Sequence, residues 1–452
     1  MIHKDHFSLF SLFVLIVAAW GGLLYGYHTA VISGVLTSLD KSFHLSVLDE
    51  GIIVSIVLLG GLVSALFAGE IADWIGRKSL LIATAIIFCA SSLLLGFADS
   101  YPLFLTGRLV SGIAIGFASV VSPMYLSEVA PPHYRGRFVS VFQLMIALGV
   151  LIAYFINLIA DQRFEWQTIF LISLVPSGLQ LICIFFIPET PGWLLRHKEN
   201  KEALSALDHL RDDRDWKHDI NKMKQAAQPQ KKGSFKDLFQ PHIGSVVFIG
   251  LFLSLFQQIT GINTVMYYTP KIFNMAGSGD NHDALMATLI VGIVNFVSTL
   301  ISIWLLDKLG RRLLLLCGVL GMVISQILMV LAFSIPSLQP LSLAGVLIFV
   351  FFFALSLGPI TWVVISEIYP LVVRGKAMSL AIFVNWLSNY AVSFSFLMLL
   401  NKLTAAGTFA LYGVISFITL LFIYLFIPET KGKSLEDIEA MVRSGSFKPN
   451  MH

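Results

Sequence analysis

Long apolar stretches recur down the whole chain, and no other feature of the sequence restricts its fold so severely. Twelve can be counted, at residues 7–34, 48–70, 79–97, 102–128, 137–160, 166–187, 242–275, 284–306, 312–334, 341–367, 375–400 and 406–427. About 20 apolar residues carry an α-helix across a hydrocarbon layer of ~30 Å. Of the 452 residues, 56% are hydrophobic and 13% charged, where a soluble chain has about a quarter charged. Each stretch is continuously apolar and lacks the two-residue alternation of barrel strands, so every backbone group must be satisfied within a helix. An all-α membrane protein is therefore expected. The first stretch is too long for a cleaved signal and has no A-x-A site, so it should remain as a helix.

Basic residues orient these helices. With the N-terminus inside, 25 of the 30 Lys and Arg residues fall in cytoplasmic segments and four (Lys41, Arg163, Lys271, Lys402) on the other side. Both termini are then cytoplasmic, and the expected location is the plasma (inner) membrane. Arg108 falls in neither class and lies inside the fourth stretch. The net charge of +3 reflects this topology and does not indicate nucleic acid, because acidic and basic residues interleave in the charged segments. Cys89, Cys183 and Cys317 all sit in apolar stretches without paired spacing, which reads as buried thiols and gives neither a disulfide framework nor a metal site. No cofactor is indicated.

The chain is written twice. "DWIGRKSLL" at 73–81 returns as "DKLGRRLLL" at 307–315, "SEVAPPHYRGR" at 127–137 as "SEIYPLVVRGK" at 366–376, and "IPET" at 187 as "IPET" at 427. The offsets of 234, 239 and 240 keep both order and spacing, the mark of an internal repeat. The expected organisation is a six-helix half over 1–187, a cytoplasmic linker over 188–241, a second six-helix half over 242–430 and a tail over 431–452. Within the linker, Leu204, Leu207 and Leu210 form a narrow apolar stripe, read as short helices lying against the bundle. A duplicated bundle of this kind suits a transporter whose halves rock about a midplane site. Gly76 and Gly310 permit tight turns. Asp73, Arg77, Glu128 and Arg135 in one copy, and Asp307, Arg311, Glu367 and Arg374 in the other, supply ion pairs that would lock one state and break in the other.

Several motifs together resemble the sugar porters of the major facilitator superfamily over nearly the full length: "GYHTAVISG", "DWIGRK", "GRLVSGIAIG", "SPMYLSEVAPPHYRGR", "IPETPGWL", "QQITGINTVMYY", "DKLGRR", "GPITWVVISEIYP" and "IPETKGKSLEDIE". The resemblance implies the twelve-helix fold of that superfamily and a monosaccharide, hexose or pentose, as cargo. It places Gln143, Gln257, Gln258, Asn263, Asn295, Asn385 and Asn389 at sugar-contacting positions, and Tyr267 and Tyr268 at an outward gate. These residue types suit a sugar, since carboxamides both donate to and accept from hydroxyls while aromatic rings pack on the CH face. Trp362 and Trp386 are placed for that stacking. A break at Gly261 would bring Gln258 and Asn263 toward one cavity, and Asn385 and Asn389 at i and i+4 share a helical face. The alternative for any single carboxamide is an interhelical hydrogen bond that only holds the bundle together, worth about 0.6–2 kcal/mol. The resemblance also shows departures: Val150, Ala354 and Gly192 stand where relatives carry glutamine, glutamate and arginine respectively.

His28 decides the expected coupling. Proton-coupled sugar porters carry an aspartate at this position, with an arginine partner matched here by Arg108; passive members carry a neutral residue. Beside Arg108, desolvation and the like charge both favour an uncharged imidazole, which would accept a hydrogen bond from the guanidinium. Facilitated uniport is therefore preferred over proton symport through His28, which remains the rival because histidine titrates near neutral pH. An enzyme is not expected, since no nucleophile elbow, zinc motif or P-loop is present. A sugar sensor, or a polyol or inositol carrier, are more distant alternatives. The lipid bilayer and the sugar are the expected partners, with protons only in the symport reading, and the expected state is a monomer.

Overall fold

The computed structural model describes residues 9–130, 135–161, 163–197, 200–210, 235–277, 280–370, 373–432, 437–438 and 441–442. Helices α1 (Leu9–Ala30), α2 (Ile32–Phe43), α3 (Val47–Ile75), α4 (Arg77–Gly96), α5 (Tyr101–Val129), α6 (Arg135–Ala160), α7 (Trp166–Ile172) and α8 (Leu174–Ile184) cover the first six apolar stretches. Two short helices follow, α9 (Pro191–Arg196) and α10 (Asn200–Leu210). Helices α11 (Pro241–Ile259), α12 (Ile262–Met275), α13 (Asn281–Leu309), α14 (Arg311–Ser334), α15 (Leu341–Leu355), α16 (Leu357–Ile368) and α17 (Arg374–Phe426) cover the other six.

Among the described residues, eleven helical segments are long and apolar enough to cross a membrane. The longest, α17, runs through a non-helical residue at Thr404 (φ 64°, ψ 172°), so it comprises two spans and the expected twelve are present. Four other spans are interrupted within their length: the first at Val31, the sixth at Ser173, the seventh at Gly261 and the tenth at Ser356. Apolar side chains on the outer faces, such as Val175, Ile182, Phe185 and Phe186, stay exposed, as expected where lipid tails replace water.

By internal contact the chain forms two compact units. One comprises Met1–His28, Gly60–Gly149 and Gln167–Lys232. Its core gathers Val14, Val17, Ala18, Leu80, Tyr125 and Phe142 among others, and Gly112 and Gly116 of α5 pack closely on α3: Gly112 Cα lies 3.0 Å from where a Cβ on Gly60 would stand. The other unit comprises Thr29–Leu59, Val150–Trp166 and Gly233–His452. Side-chain bonds tie its pieces together. Tyr154 donates to the Met266 carbonyl at 2.6 Å, Asn157 to the Val31 carbonyl at 3.2 Å, Asn281 to Asp161 at 3.1 Å, and Lys271 pairs with Glu50.

Two expectations need correction. On α10 the buried stripe is Ala203, Ala206 and Leu207, while Leu204 is exposed and the side chain of Leu210 lies outside the described residues. Alanines let the short helix sit close to Leu194 of α9. The thiols are not buried either: Cys89 and Cys183 are half-buried and Cys317 is exposed on the outer face of α14.

Candidate functional site

Gly261 has a backbone (φ 94°, ψ 15°) open to glycine and strained for other residues. A Cβ there would lie 3.0 Å from the Tyr412 ring. The break ends α11 directly after Gln257 and Gln258 and starts α12 just before Asn263, so the carboxamides meet. Asn263 Nδ2 donates to Gln258 Oε1 at 2.5 Å. Gln258 Nε2 donates to Asn385 Oδ1 at 3.1 Å. Asn385 Nδ2 donates in turn to Gln257 Oε1 at 2.7 Å and to the Ser254 carbonyl at 3.1 Å. Gln257 Nε2 reaches the Leu357 and Gly358 carbonyls at 2.8 and 2.9 Å, just after the break in the tenth span.

Four carboxamides from two spans, the seventh and the eleventh, thus form one connected chain of donors and acceptors. Gln257, Gln258 and Asn385 are buried, and Asn263 is half-buried. Asn389, one turn from Asn385, accepts from Ser393 Oγ at 3.1 Å, and Tyr268 donates to the Ser393 carbonyl at 3.2 Å. Tyr267 and Tyr268 are both buried, as is Trp386, while Asn295 and Trp362 are half-buried in the same unit. Gln143, half-buried on α6, belongs to the other unit.

Arg108 and His28 come together, though not as expected. Helix α1 ends two residues beyond His28, and the carbonyls of a last turn lack intrahelical donors. Arg108 Nη1 fills one such place by donating to the His28 backbone carbonyl at 2.6 Å. The expected bond from guanidinium to imidazole is not made. The ring is fully buried, stacks on Phe88 with centroids 5.2 Å apart, and neither ring nitrogen has a hydrogen-bond partner among the described residues.

The repeated motifs fold into the same geometry twice. In the first copy Arg77 Nε donates to Glu128 at 3.0 Å and Nη2 to Asp73 at 2.7 Å, Thr190 Oγ1 donates to Glu128 at 2.5 Å, and Arg196 pairs with Asp73 at 3.2 Å. In the second copy Arg311 pairs with Glu367 at 2.8 Å and Thr430 Oγ1 donates to Glu367 at 2.6 Å. Each network closes within its own unit. Arg374 donates to the Tyr369 carbonyl at 3.0 Å; the side chains of Arg135 and Asp307 lie outside the described residues.

Sequence reasoning missed the carboxylates that hold these turns, although "IPET" in both halves was the signal. Glu189 accepts from the backbone amides of Arg77, Lys78 and Thr190 at 3.1, 2.9 and 2.7 Å. Glu429 accepts from those of Arg311, Arg312, Thr430 and Lys431 at 3.0, 3.0, 3.0 and 2.9 Å. Each thereby caps a helix N-terminus, where unpaired N–H groups and the helix dipole favour an anion. Burial pushes the Glu189 carboxyl up, above the ordinary glutamate range, against the opposing pull of these amides and the Arg77 charge.

The chain is similar to known proteins along almost its whole length. The profile of the family described as "Sugar (and other) transporter" matches residues 14–442. The arabinose-proton symporter of Bacillus subtilis is 33% identical, covering 97% of this chain and 97% of its own. The glucose transporter GlcP of Staphylococcus epidermidis is 34% identical, covering 95% and 97%. The inward-open structure of the xylose transporter XylE from E. coli superposes with a TM-score of 0.84 at 32% identity, covering 95% and 99%. Doubled motifs, twelve spans and these matches along almost the whole length together make the chain a member of the sugar porter family of the major facilitator superfamily.

Proposed function

We propose that the chain carries a monosaccharide through the membrane by facilitated uniport, with Gln257, Gln258, Asn263 and Asn385 as the principal sugar ligands. The observation that carries this reading is the connected chain of carboxamide bonds at the Gly261 break. Donors and acceptors that satisfy each other without a ligand can exchange those bonds for sugar hydroxyls, so binding need not leave a buried polar group unpaired. Trp386 and Trp362 offer aromatic faces, and Asn295, Asn389 and, by resemblance, Gln143 add polar contacts. Tyr267 and Tyr268 serve as the outward gate. The two Arg–Glu networks are the conformational locks, and the membrane orientation is that set by the basic residues, with both termini cytoplasmic.

Uniport follows from His28. Its ring has no carboxylate partner among the described residues, and a second cation next to Arg108 in a fully buried site would lose its hydration and be repelled. The similarity to a named arabinose-proton symporter favours a second reading, symport with His28 as the proton carrier. Sugar-driven alkalinisation around proteoliposomes separates the two. Uniport predicts no proton movement in the wild type, unchanged transport in His28→Asn, and proton movement only in His28→Asp. Proton movement in the wild type that disappears in His28→Asn overturns the uniport reading.

A further inference from the structure

The break that joins the carboxamides exposes backbone groups where no bulk water can satisfy them. The Phe256 carbonyl accepts from the Thr260 N–H at 3.3 Å and the Gln258 carbonyl from the Gly261 N–H at 3.1 Å. Thr260 Oγ1 donates to the Gln257 carbonyl at 3.2 Å. The Gly261 carbonyl accepts from the Val265 N–H at 3.2 Å and from Thr264 Oγ1 at 2.6 Å. The Thr260 carbonyl, at the apex, is satisfied from another helix: Gln326 Nε2, on α14, donates to it at 3.1 Å.

Gln326 is itself out of place by ordinary rules. It is 2% exposed, and its Oε1 has no hydrogen-bond partner among the described residues, a costly state for a buried amide. Turning the amide over would set its oxygen against the Thr260 oxygen, so the carbonyl fixes its orientation. The space behind the break, lined by Thr260, Gly261, Val265, Gln326, Met329 and Tyr412, is too narrow for a water molecule. Solvent therefore cannot replace the amide.

We propose that Gln326 is a positioning residue for sugar binding: by holding the Thr260 carbonyl it sets the angle between the end of α11 and the start of α12, and so the distance between Gln258 and Asn263. This rests on reading those carboxamides as the sugar site. Gln326 acts through the backbone and does not touch the sugar.

The test uses Gln326→Met, which keeps the length and removes the donor, with Gln326→Leu as a second variant and Gln258→Ala as the control on the site. Uptake of labelled D-xylose, L-arabinose, D-glucose, D-galactose and myo-inositol is measured in proteoliposomes. For the compound carried, either Gln326 variant is expected to raise KM about five- to tenfold, as the loss of one fixed ligand would, with Vmax within about twofold of wild type. The double variant with Gln258→Ala should be little worse than Gln258→Ala alone, because both act on one contact. Raised KM in Gln258→Ala with wild-type KM in the Gln326 variants overturns the positioning role alone, whereas unchanged KM in Gln258→Ala overturns the site. A fall in Vmax and thermal stability with KM unchanged marks Gln326 as merely structural and also overturns the proposal. Hydrogen exchange supplies a readout that needs no substrate: amides at 261–265 should exchange faster in Gln326→Met than in wild type, and equal rates refute the brace.

Discussion

Replacing Asn385 by leucine removes both ends of one carboxamide while keeping a similar volume. Three bonds disappear: Nδ2 to Gln257 Oε1 at 2.7 Å, Nδ2 to the Ser254 carbonyl at 3.1 Å, and Gln258 Nε2 to Oδ1 at 3.1 Å. At a net worth of about 0.5–1.5 kcal/mol each, the ligand-free fold should lose roughly 2–4 kcal/mol, seen as a fall of several degrees in Tm. If the same amide gives a sugar one donor and one acceptor, binding loses a further 1–3 kcal/mol or so, a rise of about 5- to 150-fold in Kd. The two effects are separable. An amide that only fastens helices together contributes about 0.6–2 kcal/mol to the bundle and nothing to the sugar. Thermal unfolding in detergent measures the first effect, and KM for uptake by the surviving folded protein measures the second. A lowered Tm with wild-type KM would refute the assignment of Asn385 as a ligand.

Two further outcomes follow from charges outside the carboxamide cluster. Glu50→Lys sets a like charge beside Lys271 in the partly buried pair and should cost about 1–2 kcal/mol, between the values for exposed and buried pairs; adding Lys271→Glu should restore most of the lost Tm, and failure of the swap to do so refutes the pairing. Because burial raises proton affinity at Glu189, its contribution to stability is present at low pH and lost as pH rises above the ordinary glutamate range. The Tm of wild type minus that of Glu189→Gln should therefore fall as pH rises above the ordinary glutamate range; a difference that grows with pH contradicts this.

Much of this was legible in the sequence because the membrane imposes a length on every span. Twelve apolar runs and three motif pairs specified the doubled bundle, and Gly261 marked the break that brings Gln258 to Asn263. The remainder depended on which atom of a residue is used. Arg108 and His28 could be paired from resemblance, but the guanidinium bonds the backbone carbonyl because α1 ends two residues later, and the residues directly after Ala30, Val31 and Ile32, are neither proline nor glycine and do not announce that end. The carboxylates Glu189 and Glu429 lay inside a repeat already visible in the sequence, yet their role as helix caps depends on backbone amides that carry no residue label. Gln326 gave no signal at all: a lone glutamine in an apolar run is indistinguishable from an ordinary interhelical contact until Thr260 is seen opposite. The division into units also departs from the chain halves, since residues 29–59 and 150–166 pack with the second half through side chains such as Tyr154 and Glu50.

The most direct test of the central claim is counterflow in proteoliposomes loaded with unlabelled sugar, comparing wild type with Gln258→Ala in the five-compound panel. The account predicts a transient accumulation of at least one labelled monosaccharide without any ion gradient, collapsing in the variant at low sugar concentration. Absence of counterflow for every monosaccharide by a folded wild type, or equal counterflow by the variant, would contradict it.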